Sequence, residues 1–145
     1  MSAVWQAARW IVSIAWELPQ SALGLANLCV QHATGNVAHV EVDRGRCVVE
    51  LKRNGAVSLG HFVFWTRNTN RFVRITAANR GHEFGHARQS RLLGPLYLIV
   101  VGVPSSMRAA IALVHGLRTG SPWEGYFRGF PEDWADRLGG VDSTR

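Results

Sequence analysis

The stretch HEFGH at residues 82–86 decides how the middle of this chain folds. Apolar residues recur with a helical period from about Ile75 to Leu93, and Gly94-Pro95 marks the end of that helix. Positions i and i+4 of a helix project from one face. His82 and His86 can therefore point their imidazole nitrogens at one ion, and this spacing predicts a zinc-binding helix.

The residues between the two histidines strengthen this interpretation. Glu83 reaches the same edge of the helix, where a carboxylate suffices as general base toward a water that zinc has made acidic. The alternative is an ordinary helix with two solvated histidines. Gly85 weakens that alternative, because glycine inside a helix costs about 1 kcal/mol relative to alanine and so indicates close packing or a nearby ligand.

A second acidic pattern, ExxAD at residues 132–136, lies downstream. A catalytic zinc site with two histidines needs a third protein ligand, which Glu132 would provide. Asp136, one helical turn later, would accept a hydrogen bond from the free ring nitrogen of a ligand histidine. The alternative is that Glu132 only caps a helix, since acidic residues are favoured in a first turn.

Residues 37–65 change from a helical to an alternating pattern. Three stretches predict an antiparallel three-stranded meander: Val37–Asp43, Cys47–Arg53 and Ala56–Trp65. Arg44-Gly45 and Asn54-Gly55 provide the turns, and the second is a strong hairpin signal.

Helical patterns flank this meander. Val4–Gln31 is helical in two parts, divided by a proline, which lacks an amide hydrogen. The serine pair at 105–106 is a candidate start for a helix that runs to about Leu117, and a short last helix extends from near Phe130 to Gly139-Gly140. The fold class that follows is α+β: a meander packed with an active-site helix, plus N-terminal and C-terminal helices.

Two apolar regions make a membrane surface a candidate partner. Leu92–Met107 is strongly apolar but short for a span, and glycines and prolines interrupt it, so we expect it to be buried or inserted at a surface. Trp5, Trp10 and Trp16 could pack a core or lie at a lipid interface.

The length and the net charge of the chain limit its domain organisation and its possible partners. The 145 residues predict one domain, with a helical segment at 1–35 considered for membrane association, a catalytic core at 36–141 and a tail at 142–145. The net charge of +6 comes from scattered arginines without a basic stripe, which argues against nucleic acid as a partner. Cys29 and Cys47 are either free thiols or one disulfide. The oligomeric state stays open.

HExxH followed by ExxAD resembles the gluzincin metallopeptidases. The resemblance implies that His82, His86 and Glu132 bind Zn²⁺, and that the substrate is a peptide or protein. Longer runs make the chain similar to a family of small bacterial zincin-like proteins and to the C-terminal ends of some Rhs-type polymorphic proteins. These runs are WELPQ at 16–20, SLG at 58–60, HEFGHARQS at 82–90, LGPLY at 93–97, GVPS at 102–105 and the segment Tyr126–Val141. One departure is Pro131, where relatives often have threonine.

The same resemblance implies a minimal zincin-like domain. No secretory signal stands out in the first residues, so we expect the chain in the bacterial cytoplasm or at the cytoplasmic membrane surface. In zincins, the strand before the HExxH helix lies at the sheet edge and pairs with extended peptide, and Ala56–Trp65 holds that position. An oxyanion donor is also needed. Tyr126 ranks first because it closely precedes Glu132, ahead of Tyr97 and His115.

Two alternatives to a zinc peptidase remain open. The first is a catalytically silent protein in which zinc only stabilises a small fold. The second is a membrane-surface interaction protein that depends on the apolar segments.

Overall fold

The computed structural model describes residues 11–53, 55–68 and 79–142. Helical residues 11–16 lead into α1 (Leu18–Ala33), and then follow β1 (Val37–Asp43), β2 (Arg46–Leu51), β3 (Val57–Leu59), β4 (Phe62–Thr66), α2 (Asn79–Leu93), α3 (Val103–Thr119) and α4 (Glu132–Gly139). A 3-10 turn (Gly94–Leu96) and a π-helical turn (Leu98–Gly102) join α2 to α3. The helix predictions at residues 4–10 and 75–78, together with Trp5 and Trp10, lie outside the described residues.

The mixed α+β class is correct, but the prediction of a three-stranded antiparallel meander is wrong. The sheet has four strands in the order β1-β2-β4-β3. β1 and β2 form the predicted antiparallel hairpin around Arg44-Gly45. The third predicted strand, Ala56–Trp65, is divided in two: β3 and β4 pair antiparallel with each other, and β4 pairs parallel with β2.

Gly60 explains why the third strand divides. Its φ of 59° lies in the left-handed region, which glycine adopts without strain, and the chain reverses there between β3 and β4. After Gly55 the chain crosses to the far edge of the sheet instead of turning back onto β2. The alternating sequence pattern could not predict this, because side chains alternate with a period of two in parallel and antiparallel strands alike.

The sheet buries both faces, each against a different helix. On one face Val48, Val63 and Trp65 form a cluster with Phe84 and Ala87 of α2. On the other face a second cluster packs against Leu28 of α1 and consists of Val49, Leu51 and Phe64. The HEFGH helix is therefore fixed to the sheet through Phe84, which leaves its histidines free to face α4.

A buried ion pair between Glu17 and Arg46 attaches the residue before α1 to the sheet and to α2. The Arg46 guanidinium donates to Glu17 Oε1 at 3.0 Å and to the Ala87 carbonyl oxygen at 3.0 Å. Ser90 Oγ donates to the same Glu17 oxygen at 2.7 Å. Trp16 Nε1 donates to the Arg91 carbonyl oxygen at 3.0 Å. The WELPQ run thus has a structural role in positioning the HEFGH helix.

The segment Leu92–Met107 was predicted to be either buried or inserted at a surface. That segment is helical beyond its 3-10 turn and largely exposed, so the buried alternative is wrong. α3 begins at Val103, two residues before the predicted serine pair, and ends at Thr119. α4 ends at Gly139 and is capped by Gly140, where φ is 69°, so the predicted stop at Gly139-Gly140 is correct. Cys29 and Cys47 are both free thiols.

Candidate metal centre

Helices α2 and α4 cross at small residues, which lets their backbones approach closely. Gly85 packs against the backbone of Ala135, and Gly139 packs against the backbone of Gly81. A Cβ on Gly139 would lie 2.8 Å from the Gly81 carbonyl carbon. The prediction that Gly85 marks close packing is confirmed, and the neighbour is the helix that carries the ExxAD pattern.

This crossing brings the three predicted metal ligands together. Glu132 Oε2 lies 3.0 Å from His82 Nε2 and 3.1 Å from His86 Nε2, and the two Nε2 atoms lie 3.1 Å apart. All three side chains are buried, and Glu132 is fully so. Ligand atoms on a tetrahedral zinc ion lie about 3.3 Å apart when the bonds are about 2.0–2.1 Å. The triangle formed by these three atoms, Glu132 Oε2 and the two Nε2 atoms, is therefore of the size that one metal ion requires.

Asp136 fixes the orientation of the first histidine. Its Oδ1 lies 2.7 Å from His82 Nδ1, in a wholly buried contact. A carboxylate accepts hydrogen bonds, so Nδ1 carries a proton and donates it. In the neutral imidazole, Nε2 then presents its lone pair to the centre of the triangle. The contact between Asp136 and His82 is the one expected from the ExxAD pattern.

Gln89 fixes the second histidine in the same way, and the sequence analysis missed it. Its Nε2 donates to the Pro131 carbonyl oxygen at 3.0 Å, which directs its Oε1 to His86 Nδ1 at 2.7 Å. His86 Nδ1 must then be the donor, and its Nε2 also faces the triangle. The available signal was the spacing, since Gln89 lies three residues after His86 on one helix face.

Three hydrogen-bond acceptors thus converge on one point. Two neutral imidazole nitrogens and a carboxylate oxygen repel one another unless a proton or a cation lies between them. Glu132 Oε1 is also buried and accepts no hydrogen bond from the described residues. The donors are of the nitrogen and oxygen types that divalent transition metals bind. His82, His86 and Glu132 could therefore hold a metal ion.

The pKa values indicate how the metal-free triangle is stabilised. Burial lowers the pKa of His82, but its contacts with Asp136 and Glu132 outweigh burial and raise that pKa to about 9. Burial raises the pKa of Glu132, but the two histidines outweigh it and hold this pKa well below its usual range. Without a metal ion, a proton on His82 takes the place of the cation.

Glu83 has a different environment from the triangle. Burial raises the pKa of its carboxyl group, against the opposing effect of the two nearby histidines. Its Oε2 accepts no hydrogen bond from the described residues, although the side chain is only 4% exposed. Ser58 Oγ holds this turn of α2 against β3 by donating to the Glu83 carbonyl oxygen at 2.5 Å.

A pocket of about 650 Å³ opens beside Glu83 and His86. Its volume lies within the usual range of about 300–1,000 Å³ for ligand sites. The walls come from the edge strand β3, the π-helical turn and α3, and they include Val57, Leu98 and Met107. Its lining is therefore largely apolar around one acidic and one basic side chain.

The candidate oxyanion donors have different environments. Tyr126 and Tyr97 both line the pocket, whereas His115 lies in a separate groove on α3. Tyr97 already donates its hydroxyl proton to the Ser58 carbonyl oxygen at 2.9 Å. Burial raises the pKa of Tyr126, so its hydroxyl stays protonated and able to donate.

The edge-strand prediction holds for only part of Ala56–Trp65. β3 is the edge strand and lines the pocket, whereas β4 lies inside the sheet. Because Tyr97 already donates to the Ser58 carbonyl oxygen, one backbone acceptor of this short edge is engaged within the protein.

Comparison with known proteins adds no relative: no family model, curated protein or solved structure matches this chain. The case for a function therefore rests on the geometry of the centre.

Proposed function

We propose that this protein is a zinc-dependent hydrolase that cleaves peptide bonds, with a minimal gluzincin-like site. The observation that carries the proposal is the convergence of His82, His86 and Glu132 within 3.1 Å of one another, next to a buried carboxylate at a pocket. Two histidines and one carboxylate make up a common set of protein ligands in catalytic zinc sites.

Zinc bound there would supply Lewis-acid chemistry, which acidifies water and polarises a carbonyl group. The protein contributes the orientation of the ligands. Asp136 and Gln89 hold the two imidazole rings with their Nε2 lone pairs toward the metal position. Such outer partners typically change metal affinity or activity by about 10–100-fold when they are lost.

Glu83 would act as the general base. It follows His82 directly, lines the pocket, and has an Oε2 atom without a donor among the described residues. Burial raises the pKa of this carboxyl group, which makes the carboxylate a stronger base than a solvated glutamate. It could therefore accept a proton from water and later return one to the leaving amine.

The pocket would bind the substrate in an extended form along β3. Backbone pairing with an edge strand is a common way to hold a peptide, and apolar walls favour apolar side chains. Tyr126 would donate to the oxygen of the reacting carbonyl, because its hydroxyl is protonated while the Tyr97 proton is engaged with Ser58.

The direct test is a Glu83→Gln variant analysed for both metal and activity. We expect one zinc per chain in both proteins, and a loss of at least 100-fold in hydrolysis of fluorescence-quenched apolar peptides by the variant. Glu124→Gln is the matched control, because Glu124 is exposed and does not line the pocket. Unchanged hydrolysis by the Glu83→Gln variant would show that Glu83 is not the base.

A zinc-stabilised but inactive protein is the second candidate. It is favoured by the complete burial of Glu132 and by its place in the interface between α2 and α4. Chelation separates the two candidates. A purely structural metal should leave the chain unfolded when removed, whereas a catalytic one should leave the far-ultraviolet circular dichroism intact while hydrolysis stops.

A further inference from the structure

The helix Leu98–Thr119 is apolar on nearly its whole circumference and is almost unburied. It runs for 22 residues, and its most apolar 18-residue window has a mean hydropathy of 1.6 and is 11% buried. Its buried residues are Val101, Ala112 and Gly116, while Ile99 and Leu117 are 69% and 66% exposed. A helix that is apolar all round normally lies in a large core or in a membrane.

The core explanation does not fit, because the residues of this helix are mostly open to solvent. A cleaved leader is also an unsuitable explanation for a helix that follows the metal-binding helix in the chain. The length favours a bilayer, since 22 helical residues extend about 33 Å and the hydrocarbon core is about 30 Å thick.

The arginine in the middle of this helix, Arg108, has its guanidinium group hydrogen-bonded within the protein. Arg108 Nε donates to the Tyr126 carbonyl oxygen at 2.9 Å, and its terminal nitrogen donates to the carbonyl oxygens of Gly125 and Arg128. The guanidinium carbon lies 5.2 Å from the centre of the Trp123 ring. The Arg108 guanidinium therefore points toward the loop between α3 and α4, and its charge does not prevent the rest of this helix from contacting lipid.

Helix α1 presents a similar surface. Leu18, Leu25 and Val30 are all more than half exposed. From residue 11 to residue 40 the only formal charge belongs to Glu17, which is buried against Arg46. Leu23 of α1 and Met107 of α3 both line the pocket of the metal centre, so the two apolar helices flank its opening.

The charges next to these helices have the sign that anionic lipid attracts. Residues 84–123 contain four arginines and no acidic residue. Arg91 and Arg118, near the two ends of the long apolar helix, are both exposed. Arginines next to a membrane-bound segment are attracted to an anionic lipid surface.

We propose that the exposed apolar faces of α1 and of Leu98–Thr119 are covered by a lipid bilayer with anionic headgroups, so that the pocket opens toward the membrane. A second part rests on the proposed function: the substrate would be an apolar peptide segment that reaches the site from the bilayer.

Vesicle flotation tests the first part without any need for hydrolysis. The Glu83→Gln chain is mixed with phosphatidylcholine vesicles that contain about one-third phosphatidylglycerol, and flotation is repeated after a high-salt wash. We expect flotation that survives the wash. An Ile99→Glu/Leu117→Glu variant should lose it by at least tenfold, because acidic residues are strongly disfavoured in lipid. Val42→Glu is the matched control, since Val42 is 81% exposed on β1, and it should float normally.

Two readouts keep a folding failure from being mistaken for a result. Bound zinc and circular dichroism report whether the double variant is folded. Cys29 is an exposed thiol on α1 and Cys47 is half-buried, so a polarity-sensitive dye on Cys29 of a Cys47→Ser chain should shift to shorter wavelengths with vesicles. A folded chain that stays in the aqueous fraction, as a monomer or as a dimer, would overturn the bilayer proposal. Loss of flotation in the Val42→Glu control would do the same.

The second part is tested with the wild-type chain and one apolar peptide. In one sample the peptide is inserted in the same vesicles, and in the other it is free in solution. We expect cleavage of the inserted peptide at least tenfold faster. Equal rates would overturn the substrate assignment while leaving flotation intact. Flotation without any cleavage would instead count against the hydrolase itself.

Discussion

Gly85 of α2 lies against the backbone of Ala135 of α4 so closely that a Cβ at Gly85 would be 2.6 Å from the Ala135 carbonyl carbon. Ala135 lies between Glu132 and Asp136, whose side chains both contact His82. The absence of one side chain on α2 therefore sets the distance at which α4 brings Glu132 and Asp136 to the two histidines.

A Gly85→Ala substitution should separate the two helices. Alanine favours a helix by about 1 kcal/mol over glycine, but here its methyl group overlaps backbone that belongs to the other helix. Overpacking of this kind costs about 1–3 kcal/mol. We expect a lower melting temperature and a loss of bound zinc, measured by thermal unfolding and metal analysis.

Gly102→Ala is the matched control for that substitution. Gly102 is also helical, but a Cβ there would meet its nearest atoms at 3.8 and 3.9 Å, which is ordinary contact. Its melting temperature should stay unchanged or rise slightly. If Gly85→Ala behaved like Gly102→Ala, the close approach of α2 and α4 would not determine the site.

Asp136→Asn should weaken metal binding while leaving the fold intact. The amide still accepts a hydrogen bond from His82 Nδ1, but the negative charge that makes this histidine a better ligand is gone. We expect zinc affinity to fall about 10-fold or more, as measured by competition with a chromophoric chelator. Asp133→Asn, one turn away on the same helix and paired with exposed Arg137, should keep wild-type affinity. Equal losses in both variants would point to a general effect of charge.

Glu17→Gln should be among the most damaging single changes outside the metal centre. It leaves the Arg46 guanidinium, whose side chain is 4% exposed, without its buried partner. Removing one member of a buried pair costs about 3–5 kcal/mol. Glu50→Gln removes the partner of Arg67, which is 72% exposed, and should cost about 1 kcal/mol or less. Denaturant unfolding of both variants measures the two losses in the free energy of unfolding. Similar losses would contradict the assignment of Glu17 to the core.

The sequence was informative where residue type and spacing suffice. Two histidines four apart and an acidic pair four apart each define a helix face, and the structure places those faces against each other through Gly85. Gln89 was missed because its role depends on the Pro131 carbonyl oxygen, which comes from a segment distant in the chain. Spacing along one helix does not reveal such a partner.

The sheet was predicted less well for a related reason. Asn54-Gly55 and Gly60 are both plausible turns, and local patterns do not decide which one a hairpin uses. The choice depends on packing: Gly24 of α1 lies against Phe62 and the Leu59 carbonyl oxygen, next to the turn at Gly60. The exposure of Leu98–Thr119 could not be predicted from local sequence either, because a helix in a protein core and a helix in lipid have the same apolar sequence pattern.

The stability of the metal-free protein should depend on pH above neutrality, whereas that of the zinc-loaded protein should not. The pKa of His82 is raised to about 9 in the metal-free fold, from 6.5. Its stabilising effect is therefore complete below pH 6.5 and is lost as the pH rises through 9. Glu132, whose pKa is lowered, contributes above its usual pKa near 4.5 and loses that contribution in acid. The metal-free chain should thus be most stable between about pH 4.5 and 6.5.

Zinc binding must displace the proton from His82, so its affinity should rise with pH, by up to about tenfold per unit, until pH 9. The stabilisation by the metal grows with the logarithm of its affinity, so this gain offsets the loss of the His82 contribution. The melting temperature of the zinc-loaded chain should therefore stay nearly constant between pH 6.5 and 9, while that of the metal-free chain falls. Differential scanning calorimetry of both forms across this range provides the measurement. Parallel curves for the two forms would mean that His82 is not where the proton and the metal ion compete.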